Sequence, residues 1–152
     1  VADQTDNVYR FEDDWSGWNR NQFTLAECRL LIRSALDLYG CPPVTVAQHK
    51  RRSLSWCCPS VRRMSLQAKG PNNRGGKNAA TCLHEAAHQI GYDLYGQRID
   101  DHGPTFVGIY LALLVKAKVA PGPALEAQLR HRGVKWRTGV VRRYRPRADR
   151  RS

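Results

Sequence analysis

Residues 84–88 read His-Glu-Ala-Ala-His, and no other short stretch of the chain constrains its fold as tightly. Two histidines four residues apart meet on one side only when the backbone is helical, because such positions stack on consecutive turns. The flanking residues supply that helix. Asn78 is a candidate N-cap. Ala80, Leu83, Ala87, Ile90 and Leu94 recur at the helical period as a core stripe, which predicts a helix from about Ala79 to Tyr95. His84 and His88 fall on the neighbouring face, where two imidazoles can reach one metal ion. Glu85 is one residue on, rotated by about 100°. That offset leaves its carboxylate beside a metal-bound water rather than on the metal. The chemistry such a pattern points to is hydrolytic. Zinc lowers the pKa of water and polarises a scissile carbonyl, while Glu85 takes the water's proton and hands it to the leaving amine.

Two histidines fall short of the three protein ligands that a catalytic zinc usually takes. The longer pattern H-E-x-x-H-x-x-G-x-x-H is matched through Gly91 but ends on Leu94, which cannot bind zinc. Asp93 is five residues past His88 and on the wrong face of the helix. Three later residues remain: Asp100, Asp101 and His102. His102 brings a nitrogen donor, follows an expected turn, and precedes Gly103-Pro104, which can start a new helix. It is the leading choice, with Asp100 or Asp101 as the alternative. With His102 on the metal, Asp101 or Asp100 becomes a candidate partner for a histidine N–H.

The run His84 to His88, thirteen intervening residues, and then His102-Gly103-Pro104-Thr105-Phe106 resembles the SprT-like (Spartan-type) zinc metallopeptidase domain. The likeness covers about Leu83 to Tyr110. It is also similar to small metallohydrolases of bacteria and their phages. The resemblance implies an α+β, zincin-like fold, with a small mixed sheet packed on the active-site helix and further helices behind it. It implies a Zn2+ site of His84, His88 and His102, Glu85 as catalytic base, and proteolysis near DNA. SprT proteins often carry a C-terminal cysteine zinc ribbon, whereas this chain has no cysteine after Cys82.

Length and composition set the frame. At 152 residues the chain is expected to form one domain. Its longest apolar run, Val107 to Val115, is too short to cross a bilayer and reads as a buried helix, so no membrane partner is expected. The first ten residues have neither the basic nor the apolar segment of a secretory signal. The five cysteines include an adjacent pair, Cys57-Cys58, and no C-x-x-C. Free thiols in a reducing cytosol, hence a cytoplasmic protein, is the expectation.

Formal net charge is +12 and unevenly spread. Residues 41–83 hold 8 basic and no acidic groups, and residues 119–152 hold 10 basic and 2 acidic ones. Residues 1–40 are net acidic, with 4 basic against 7 acidic groups. Clustered basic charge is the footprint of a polyanion binder, and a solvated surface with a loose tail accounts for it equally. Nucleic acid is therefore a candidate partner through the basic segments, beside a protein or peptide substrate. Oligomeric state is not readable.

Along the chain, residues 1–20 read as a polar segment with a short strand at Asn7–Phe11. Residues 21–133 read as the metallopeptidase domain, and 134–152 as an Arg-rich segment. A helix over 24–40 opens on a Thr24/Glu27 capping box, with Leu25, Cys28, Leu31, Ile32, Ala35 and Leu38 on its apolar face. Val44–His49 and Ser60–Lys69 are strand candidates. Gly70–Asn78 is a loop, and it lacks the first Gly and the Ser/Thr of a phosphate-binding loop. Residues 103–119 and 121–133 read as two more helices. Lys135 to Ser152 reads as a short hairpin around Gly139 and a basic tail, with Trp136 and Tyr144 as possible stacking platforms. Tyr92, Tyr95, Tyr110 and His131 are candidates for stabilising an oxyanion. The leading expectation is a zinc metallopeptidase. Its rivals are a nucleic-acid-binding module with a structural zinc, and a metal-dependent hydrolase of a non-peptide substrate.

Overall fold

A computed structural model describes residues 4–15, 22–50, 54–68, 76–96, 101–139 and 143–146. In chain order these residues form α1 (Thr5–Trp15), α2 (Leu25–Leu38), β1 (Thr45–His49), β2 (Trp56–Cys58), β3 (Arg63–Gln67), α3 (Ala79–Tyr95), α4 (Pro104–Lys116) and α5 (Gly122–His131). The class is mixed α+β, as expected, with five helices and a three-stranded mixed sheet among the described residues.

Helix α3 is the axis of the molecule. Asn78 caps it by accepting from Thr81 N at 2.8 Å, and the expected stripe of Ala80, Leu83, Ala87, Ile90 and Leu94 is buried. α2, α4 and the sheet, through β2 and β3, all pack against it. α4 is buried along Phe106–Leu111 and again at Leu113 and Leu114, as its unbroken apolar run requires. No described helix is long and apolar enough to cross a membrane. α2 begins on the expected capping box, with Thr24 N to Glu27 Oε1 at 3.0 Å and Glu27 N to Thr24 Oγ1 at 3.1 Å. Its buried face is Cys28, Ile32, Ala35 and Leu36. Leu38, expected on that face, is 49% exposed. It lies two residues past Leu36, about 200° around the helix, and so points away from α3.

The sheet order is β1-β3-β2. β1 runs parallel to β3, pairing Thr45 with Arg63 through His49 with Gln67. β2 runs antiparallel to β3, pairing Trp56 with Ser65 and Cys58 with Arg63. One 3-10 turn, Pro59–Val61, connects β2 to β3, and Arg62 closes it in the left-handed region at φ 53°. A non-glycine residue in that region carries strain, which the Arg62 side chain offsets. Its guanidinium pairs with Asp93 of α3 at 2.7 Å and donates to Pro43 O at 3.1 Å and to Pro42 O. This bracket fixes the β2–β3 turn against α3.

Two segments differ from the sequence reading. Asn7–Phe11 is not a strand but part of α1, because Val8 and Phe11, three residues apart, share one helical face and enter the core. Residues 134–139 and 143–146 are not a loose tail. Val134 is buried, and Trp136 and Tyr144 are half-buried, each packing one side against the core. Arg137 N donates to Pro104 O at 2.9 Å, and Tyr144 N donates to Tyr39 O at 2.8 Å. No strand occurs among the described residues after Gln67. Residues 140–142 of the expected hairpin, and 147–152 of the tail, lie outside the described residues, as does most of the Gly70–Asn78 loop.

Candidate metal centre

Three imidazoles converge at the middle of α3. His84 Nε2 lies 3.1 Å from His102 Nε2 and 3.2 Å from His88 Nε2. The three ligand atoms all fall within 4.8 Å of one another, so the group could hold a metal ion. Helical spacing supplies His84 and His88. The turn before α4 supplies His102, with Gly103 as N-cap and Pro104 at the first position of the helix. Zinc with Zn–N bonds of about 2.0–2.1 Å and tetrahedral angles needs nitrogens roughly 3.3–3.4 Å apart. The two measured separations are close to that. Three lone pairs this near one another repel unless a cation lies among them, and one shared proton can serve only two.

Two of the three rings are held from behind by hydrogen bonds. With Nε2 offered to a metal, Nδ1 carries the hydrogen and donates. His84 Nδ1 meets the carboxylate of Glu12 in a short hydrogen bond. His102 Nδ1 lies 3.0 Å from Thr5 Oγ1. His88 Nδ1 lies 3.7 Å from Asp101 Oδ1, beyond direct hydrogen-bond reach. Aromatic rings pack the trio. Phe106 stacks on His88 at 4.4 Å between centroids, Tyr9 stacks on His84 at 5.8 Å, and Tyr110 meets His84 edge-on at 5.4 Å.

Glu85 is 6% exposed and lines the same cavity as the three histidines. Burial lifts its carboxyl pKa to about 7, and His84 opposes that rise. Burial also works against charge on His84, but the Glu12 carboxylate overrides it and holds that imidazole at about 9. His88 is pushed well below the usual range, first by burial and then by His84 and His102.

The sequence candidates are thus partly assembled and partly dispersed. His84, His88 and His102 come together with Glu85 beside them. Asp101 lies behind His88 and is not grouped with the three nitrogens, while Asp100 falls outside the described residues. Of the oxyanion candidates, Tyr92 lines the cavity. Tyr110 is fully buried, with its hydroxyl 3.3 Å from Ala80 O. Tyr95 packs against the core, and His131 ends α5. Thr5, Tyr9 and Glu12, all on α1, were not foreseen. Only the Val8/Phe11 spacing hints at that helix, and nothing in a single sequence ties Glu12 to a histidine 72 residues away. The chain matches no protein-family model, no curated protein and no solved structure.

Proposed function

We propose that this chain is a zinc-dependent metallopeptidase with a zincin-like fold, akin to the SprT-like domains it resembles in sequence. The observation that carries the reading is the convergence of His84, His88 and His102 Nε2 atoms beside a buried Glu85 on one cavity. The residues fit the ion in number, donor type and spacing. Zinc bound there supplies Lewis acidity, making a water acidic near neutral pH and drawing charge from a carbonyl oxygen. The protein's own groups do the rest. His84, His88 and His102 hold the ion through Nε2, and Glu12 and Thr5 fix two of the rings through Nδ1. A Glu85 carboxylate oxygen takes a proton from the attacking water and delivers it to the leaving nitrogen. Phe106, Tyr9 and Tyr110 keep bulk water from the backs of the rings.

A structural zinc is usually ringed by four protein ligands. Here three histidines converge and a cavity of about 390 Å³ lies beside them, which supports a hydrolytic site over a structural one. The test is cleavage of casein by zinc-loaded protein. Glu85→Gln keeps the shape and the three nitrogens, so zinc and fold should persist while turnover falls by two or more orders of magnitude. Near-normal zinc-dependent cleavage by Glu85→Gln would refute the mechanism. Zinc-loaded protein that cleaves no polypeptide but does hydrolyse small amides would favour the non-peptide hydrolase.

A further inference from the structure

Helix α1 docks directly on the metal ligands. Thr5, Tyr9 and Glu12 stand at i, i+4 and i+7 and so share one face of the helix. Each of the three meets a ligand ring. Thr5 Oγ1 lies 3.0 Å from His102 Nδ1, and the Glu12 carboxylate holds His84 Nδ1. The Tyr9 ring stacks on His84 and tilts against His102 at 5.6 Å between centroids. Gln4, just before the helix, adds a further link by donating from Nε2 to His102 O at 3.3 Å. On the neighbouring face Val8 and Phe11 enter the core. The far end of the helix is tied to the end of α5, where Arg132 Nε and Nη2 donate to the two oxygens of Asp14 at 2.5 Å. Tyr9 and Glu12 also line the cleft together with Glu85, so α1 forms one of its walls.

Two properties make this docking depend on the ion. α1 has 11 residues, and isolated helices shorter than about 12–15 residues are marginal in water. It therefore takes its order from what it docks on. An ion on the Nε2 atoms confines the hydrogen of His84 and of His102 to Nδ1, where Glu12 and Thr5 accept it. Without the ion, either nitrogen of each ring can carry the hydrogen, and the rings lose the centre that fixes their angles. We propose that α1 is a metal-dependent strap. It closes over the site when His84 and His102 hold the ion, and it releases when the ion leaves, taking one wall of the cleft with it. Coupling between two such events is reciprocal. Whatever zinc affinity α1 confers through Thr5 and Glu12, zinc returns to the docking of α1 as the same factor. Metal loading and assembly of the cleft are thereby one event. The inference rests on the zinc site of the proposed metallopeptidase, and the experiment separates the two.

One sample of full-length protein is loaded with zinc and another is stripped with a chelator, and zinc per chain is measured in both. Amide hydrogen exchange is then followed along the chain. Removing zinc should speed exchange of the α1 amides by about tenfold or more, the low end of what one partner of a metal ligand is worth. Exchange in α2 and the sheet should change little. Arg132→Ala reads the coupling from the other side, because it loosens α1 and touches no ligand ring. It should weaken zinc binding about two- to fivefold, the worth of an exposed ion pair. The variant removes a positive charge, which by electrostatics alone favours a cation, so weaker binding reports the lost docking. Equal exchange of α1 with and without zinc, or zinc affinity unchanged or raised in Arg132→Ala, overturns the strap and leaves the zinc site standing. Exchange that rises equally in α2 and the sheet is global unfolding and also overturns it. Protein that takes up no zinc ends the zinc reading and the strap together.

Discussion

Glu12 reaches across 72 positions of sequence to hold His84 by its Nδ1 hydrogen, and Thr5 does the same for His102. Such partners fix the tautomer and the ring angle of a metal ligand and raise its basicity, and losing one typically costs about 10–100-fold in metal affinity. Glu12→Ala should fall toward the upper end of that range, because a charged acceptor is removed. Glu12→Gln keeps an acceptor and should fall between Glu12→Ala and wild type. Thr5→Ala, which removes a neutral hydroxyl, should sit at the lower end. Competition with a chromophoric chelator measures all three. Unchanged zinc affinity in Glu12→Ala would mean that the His84 ring is held by its aromatic neighbours alone.

Two interactions between elements set how firmly the site's scaffold is held. Asp93 is buried on α3 and faces the Arg62 guanidinium, with Gln89 Nε2 donating to the same Oδ1 at 3.0 Å. Removing one partner of a buried pair leaves the other charged and unmatched. Arg62→Ala should therefore cost about 3 kcal/mol, the low end for such pairs because Arg62 is partly exposed. Gly108 of α4 lies under the 134–139 segment, and a Cβ there would come within 2.1 Å of Arg137 O. Gly108→Ala must push that segment off α4, at a cost of roughly 1–3 kcal/mol. For both variants the readout is a lower urea midpoint at unchanged slope. These elements differ in how legible they are in the sequence. α3 and α2 can be read to within a residue or two, because caps and a helical stripe mark both ends. β2 is three residues long with adjacent cysteines, too short to show alternation. α1 reads as a strand because its apolar signal is only Val8 and Phe11 amid charged residues. The support that α1 gives the three histidines is therefore hidden in the sequence, although the histidines themselves are in plain view.

Over the whole molecule, the clustered basic charge offers phosphate contacts as a route to nucleic acid. Binding of that kind should fall steeply with salt and depend little on sequence. Replacing the exposed Lys135 and Arg137 with glutamine should lower the salt slope by about one for each phosphate that is no longer neutralised. A mobility-shift series over salt decides this, and no binding at low salt returns the +12 charge to a solvated surface. The account as a whole stands on the metal. The most direct measurement is zinc per chain, by elemental analysis, in wild type, Glu85→Gln and His102→Ala purified side by side. The proposed zinc site predicts about one zinc in the first two and a large drop in the third, since a three-nitrogen site cut to two binds weakly. Undiminished zinc in His102→Ala, or none in wild type offered the metal, would contradict it.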